Sequence, residues 1–168
     1  MTDQTPEGRT VAHSLVTMSQ VVLPTQTGPA GVWAHGGEII KLMDTAAGLA
    51  ALRHAHSPVV TLRIEGLDFL RPIRVGNFVT AQARLTYVSR STMEVQVKVM
   101  AEDVLHEKEF EALSSYFLFV AIDDEGTTKT VPPLILETEE EKKLFEQGRL
   151  RHDTCRMDEH SRAICAMD

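Results

Sequence analysis

The chain has 168 residues, 43% hydrophobic and 24% charged, with a formal net charge of −7 at pH 7. That is enough for one domain with a real core. The apolar runs are too short and too interrupted to span a bilayer, and the acidic balance argues against a general nucleic-acid binder, whose affinity rests on neutralised phosphates. The first residues, Met1-Thr2-Asp3-Gln4-Thr5-Pro6-Glu7, show no basic region followed by an apolar core, so no signal peptide is read there. The two cysteines, Cys155 and Cys165, both fall near the C-terminus. The core is therefore expected to form without a disulfide, which fits the cytoplasm.

In chain order, residues 1–12 are polar and expected to be flexible. Residues 13–136 hold one domain, and 137–168 a charged helix and tail. Ser14 to Leu23 reads as a strand, and Pro24 to Ala34 as a loop rich in Gly, Pro and Thr. A helix follows from about Gly37 to His54, apolar on nearly every side, and Ser57-Pro58 ends it. Apolar residues alternate through Val60, Leu62 and Ile64, then change phase to Leu67 and Phe69, which predicts a β-bulge at Glu65-Gly66. Val79 to Tyr87 and Met93 to Val99 alternate cleanly, predicting two half-buried strands with one wet face, joined as a hairpin at Ser89-Arg90-Ser91. Phe110 to Ile122 is apolar on both faces and reads as a central strand. One long helix against one antiparallel sheet is an α+β layer arrangement. A helix apolar all round needs a second cover, and another subunit is the simplest. Glu137 to Arg151 reads as a charged helix with acidic residues at its positive end, docked through Leu144, Phe145 and Leu150.

Two features of the long helix carry chemistry. Apart from Lys41, Asp44 is the only ionisable residue expected on its buried part, and a carboxylate in a dry cleft can act as a base. Gly36-Gly37 opens the helix, where free N–H groups can stabilise an oxyanion. Gly37 and Asp44 share a face but lie about 10 Å apart along the axis. They cannot both touch one carbonyl group, so either a water bridges them or each site combines Asp44 of one chain with the glycines of another. His35 is a further candidate base or a structural cap. Arg71, Arg74 and Arg90 at strand ends are candidate phosphate contacts. His152, Cys155, His160 and Cys165 do not follow a standard zinc spacing, and no metal is expected.

His35-Gly36-Gly37, the helix segment Lys41-Leu42-Met43-Asp44, the stretch Val59 to Ile73 with Val75-Gly76, Ser89 to Glu94 and Val131-Pro132-Pro133-Leu134 together resemble the hotdog-fold acyl-CoA thioesterases, in the cytosolic broad-specificity and brain-type group. The resemblance covers about residues 14 to 140. It implies a hotdog fold, with an antiparallel sheet wrapped around one central helix, and dimers or hexamers built as trimers of dimers. It implies hydrolysis of acyl-CoA to a free acid and CoA at the subunit interface, with coenzyme A entering as part of the substrate and no other cofactor. On this reading Asp44 is the catalytic aspartate, as base or nucleophile, and Gly36 and Gly37 the oxyanion glycines. Thr61, Arg71, Arg90 and Ser91 would contact substrate, the last two at the nucleotide. One departure is that members commonly carry an Asn shortly before the glycine pair, whereas the one Asn of this chain is Asn77. Gln26 and Thr27 are the candidates to replace it. Two other readings remain at this point. One is a dehydratase of acyl thioesters using His35, the other a non-catalytic acyl-CoA or nucleotide sensor.

Overall fold

The computed structural model describes residues 7–157. Its elements are β1 (Arg9–Thr10), α1 (Val11–Ser14), β2 (Val16–Val21), a 3-10 turn at Pro24–Gln26, α2 (Gly36–Ala55), β3 (Val59–Phe69), β4 (Phe78–Val88), β5 (Thr92–Asp103), β6 (Lys108–Ala121), β7 (Leu134–Ile135) and α3 (Glu139–Met157). Five strands form one antiparallel sheet in the order β2-β4-β5-β6-β3. The long hairpins of the sequence thus lie at its centre, and β2 and β3 are its edges.

The helix α2 lies along one face. Ala46, Ala47, Ala50 and Ala51 are fully buried against the alternating small and branched residues of β4 and β5, Ala81, Ala83, Val95, Val97 and Val99 among them. Small side chains on both surfaces let helix and sheet approach closely, and Ile39, Leu42 and Met43 fill the wider end. The helix ends where His56 turns left-handed (φ 49°) and its N–H bonds the Leu52 carbonyl at 2.9 Å. Arg9 caps the same end by donating to the carbonyls of Arg53 and His54.

The strand β3 carries two bulges. Its register against β6 slips between Glu65 and Asp68, where Gly66 takes φ +60°, as the phase change predicts. A second slip, between Thr61 and Arg63, has no counterpart in the sequence reading. The strand β6 is interior, paired on both sides, and Ser89 N–H closes the β4–β5 hairpin on the Thr92 carbonyl at 2.9 Å.

Two expectations need correction. Residues 9–12 do not fray: Arg9 and Thr10 pair in parallel with Leu134 and Ile135, and Val11 is buried. The outer face of β4 and β5 is wet only in part, at Gln82 and Lys98, because α3 covers the rest. Glu94 and Gln96 are each 6% exposed and Thr86 2%. Arg151 of α3 grips the Glu94 carboxylate with two bonds of 2.7 and 2.9 Å, and Thr86 donates to it at 2.6 Å. The same guanidinium lies 3.9 Å over the Tyr116 ring. Phe145 packs against Tyr87 at 5.0 Å between centroids, whereas Leu150 remains exposed. Gly148 lets the helix come down: a Cβ there would lie 2.6 Å from Tyr87 Cβ. His160 and Cys165 lie outside the described residues.

Candidate active site

Asp44 sits half-buried in the middle of α2 and accepts a hydrogen bond from the Thr61 hydroxyl at 2.9 Å. Thr61 stands directly before the first bulge of β3, where Leu62 is the extra residue. A bulge re-aims the neighbouring side chains, and here it coincides with the threonine that turns to the helix. The bond fixes one carboxylate oxygen and leaves the other to meet a reactant. Lys41, expected on the buried part of the helix, is exposed.

The N-terminus of α2 is arranged differently from the sequence expectation. His35 is the N-cap, and its Nδ1 accepts the Gly37 N–H at 3.0 Å. Its imidazole therefore completes the first turn as a cap, and the Gly37 N–H is engaged by it. The Gly36 N–H, at the first helical position, donates to no protein group among the described residues. Gly36 faces Phe69 so closely that a Cβ would lie 2.9 Å from the ring. Between the helix start and the end of β3 lies an open cleft of about 370 Å3, lined by Trp33, Gly36, Ile39, Phe69, Leu70, Arg71 and Ile73 among others.

The remaining candidates are spread apart. Arg71 borders this cleft and stacks its guanidinium 5.7 Å from the Phe110 centroid. Arg74 lies 4.7 Å over Trp33. Arg90 is exposed at the β4–β5 turn, while Ser91 beside it is 1% exposed and its carbonyl accepts from Ala121. A molecule reaching this turn meets Arg90 and not Ser91. The turn joins the sheet next to Val120, and Arg71 next to Ala112. Along β6 that separation is more than about 20 Å at ~3.3 Å per residue. Gln26 and Thr27 are both used by their own turn: Gln26 Oε1 accepts from Leu23 N–H at 2.9 Å, and Thr27 donates to the Pro24 carbonyl at 3.1 Å. Asn77 closes a different turn by accepting from Arg74 N–H at 2.8 Å.

The sequence reading missed His54, a fully buried ionisable group on α2. Its Nε2 donates to the Pro132 carbonyl at 2.9 Å, and its Nδ1 lies 3.0 Å from the Ser14 hydroxyl, from which it accepts in the neutral ring. Burial pushes its pKa below the usual histidine value, and the nearby charges of Arg9, His13 and His56 act in the same direction. It ties α1, α2 and the segment before β7 together, away from Asp44. Among the described residues no three His, Cys, Asp or Glu side chains gather as metal ligands.

Comparison with known proteins agrees with this geometry. Residues 33–106 match the thioesterase superfamily. The chain is 38% identical over 149 residues to the human cytosolic acyl coenzyme A thioester hydrolase, covering 88% of this chain and 39% of that one. It thus spans about two fifths of the length of the mammalian relatives it matches. It is 35% identical over 138 residues to the uncharacterized acyl-CoA thioester hydrolase YkhA of Bacillus subtilis, covering 82% of this chain and 80% of that one. The solved acyl-CoA hydrolase of Staphylococcus aureus, in complex with butyryl coenzyme A, coenzyme A and coenzyme A disulfide, superposes with a TM-score of 0.81 at 32% identity, covering 93% and 96% of the two chains. Structures of that protein with an aspartate, an asparagine or a threonine changed to alanine also match, as do hexameric thioesterases. With its five-stranded sheet wrapped on α2, and with the Bacillus subtilis and Staphylococcus aureus relatives matched over most of their length, the chain belongs to the thioesterase superfamily and has its hotdog fold.

Proposed function

We propose that this protein hydrolyses acyl-CoA to a free carboxylic acid and CoA. The observation that carries the reading is the Thr61–Asp44 hydrogen bond of 2.9 Å, which presents a fixed carboxylate from the middle of α2. Asp44 takes a proton from water, and the resulting hydroxide attacks the thioester carbonyl carbon. The Gly36 N–H, at the positive end of α2, receives the charge that develops on the oxygen. The tetrahedral intermediate then collapses, the C–S bond breaks, and the CoA sulfur leaves with a proton. Coenzyme A is part of the substrate, and the reaction calls on no other cofactor. The Nδ1 of His35 is used as a helix cap, which favours hydrolysis over a dehydratase built on that histidine.

Each site is shared between two chains. Gly36 and Asp44 are eight residues apart on α2, about 12 Å, and each faces a different part of β3. A second copy can approach along β3, an edge strand whose Val60 and Ile64 are exposed beside Leu49 and Leu52 of α2. A homodimer with two such sites, assembled into a trimer of dimers, fits the hexameric relatives. Arg71 and Arg90, at opposite ends of the sheet in one chain, then serve as phosphate contacts from different chains. The replaced aspartate and threonine of the Staphylococcus aureus protein match the residue types paired here, and a cytoplasmic location fits the cytosolic human relative. The test is thiol release from a series of acyl-CoA esters by the wild type and by Asp44→Ala. Turnover by the wild type with a loss of at least a hundredfold in the variant, at unchanged melting temperature, supports the reading. Equal rates overturn it.

A further inference from the structure

We propose that the cleft beside Gly36 takes the acyl chain of the thioester and that Phe69 sets the length of chain admitted. This rests on the hydrolase reading and adds to it the substrate class. The wall of the cleft is apolar, built by Trp33, Ile39, Phe69, Leu70 and Ile73, and Arg71 is the single charged side chain among its lining residues. Phe69 and Leu70 are 53% and 55% exposed, and Trp33 37%. Three large apolar side chains around one cleft make a surface that gains from being dried by an apolar occupant. The polar amides of the CoA arm would find few partners there and would lose their hydrogen bonds to water. The cleft begins at Gly36, whose N–H is the oxyanion donor in the proposed reaction. Whatever fills it is therefore joined directly to the thioester carbonyl.

The cleft measures about 370 Å3. That is within the size range of small-molecule sites and wide enough for an alkyl chain of several carbons. Phe69 stands at the boundary, its ring close enough to touch a Cβ at Gly36, 2.9 Å away. Its backbone is held: Phe69 pairs with Leu113 at the end of β3, and Leu70 N–H bonds the Ala112 carbonyl at 2.9 Å. The ring, more than half exposed, contributes little to the core. Its size acts on what enters the cleft and not on the fold.

The experiment measures kcat/KM for straight-chain acyl-CoA esters from two to sixteen carbons with the wild type, Phe69→Ala and Phe69→Trp. The expected result is an optimum moved to longer chains in Phe69→Ala and to shorter ones in Phe69→Trp. The gain in Phe69→Ala is about tenfold for two further buried methylenes. Parallel profiles in the three proteins overturn the proposal while leaving hydrolysis intact. So does a change of Phe69→Ala from oligomer to monomer with an unchanged profile, which assigns Phe69 to a subunit contact. The hydrolase reading fails separately, if the wild type turns over none of these esters. The cleft is then decided by emission of Trp33, the one tryptophan of the chain. A saturable shift with decanoyl-CoA and none with CoA alone supports the assignment, and no shift with either overturns it.

Discussion

The two long helices lie on opposite faces of the same sheet and are held by different means. The inner helix α2 is fixed by area: four fully buried alanines and a run of larger apolar residues press on β4 and β5. The outer helix α3 is fixed by points: Gly148 against Tyr87, Phe145 against the same ring, and Arg151 on Glu94. Area gives α2 the rigidity that a site needs, and a single carboxylate can be placed on it and kept there. Point contacts give α3 a defined seat over a sheet face that would otherwise be wet. Variants on the reactive face of α2 should therefore show in turnover with little change in the melt, and variants under α3 should do the reverse.

The largest effect is expected from Gly36→Pro. Proline is tolerated at the first helical position, and the extended conformation of His35 (ψ 124°) suits the residue before it, so the helix start stays in place while the N–H is lost and the exposed Phe69 ring, 2.9 Å from the new Cβ, is turned aside. A fall of kcat by about 10²–10³ in steady-state assays follows from losing one oxyanion donor. Thr61→Val removes the bond that orients Asp44. Hydrogen bonds to charged groups contribute about 1.5–3 kcal/mol, so kcat should drop by roughly ten- to a hundredfold, with KM nearly constant. Gly148→Ala sharpens the other side. Its Cβ collides with Tyr87 Cβ and comes within 2.8 Å of a Glu94 oxygen, and overpacking of this kind costs about 1–3 kcal/mol in denaturant unfolding. Activity per folded molecule should stay at the wild-type level.

The smallest effect is one of pH. His54 is held neutral, with a folded pKa below its unfolded value of 6.5. Above pH 6.5 both states carry a neutral ring and the group adds no pH dependence. Below it the unfolded chain binds a proton that the folded chain refuses, so stability falls as the solution is acidified, by up to about 1.4 kcal/mol per pH unit until the folded pKa is reached. His54→Gln should flatten that part of the curve, and a slope equal to wild type would contradict the assignment.

Much of α2 was legible because its signals are local. An apolar run with a Gly-Gly start and one central carboxylate can be read without knowing what it touches, and the phase change around Gly66 announced its bulge in the same way. The features that escaped depend on residues distant in the chain. The burial of Glu94 needs Arg151, 57 positions away, and that of His54 needs Pro132, 78 positions away. The bulge at Leu62 is hidden because Val60, Leu62 and Ile64 keep perfect alternation through it. The sequence His35-Gly36-Gly37 carries the same residues whether or not the imidazole is a cap, and the 3.0 Å bond to Gly37 N–H is what shows the cap.

The central claim is that each site joins Asp44 of one chain to Gly36 of another, and subunit mixing tests it most directly. Asp44→Asn and Gly36→Pro chains, each nearly inactive alone, are unfolded, mixed in equal amounts and refolded together. In a mixed dimer the sites as described pair one intact Asp44 with one intact Gly36, so about a quarter of wild-type activity should return. If both groups serve the same site within a single chain, the mixture stays as inactive as its parts, and the shared-site account is wrong.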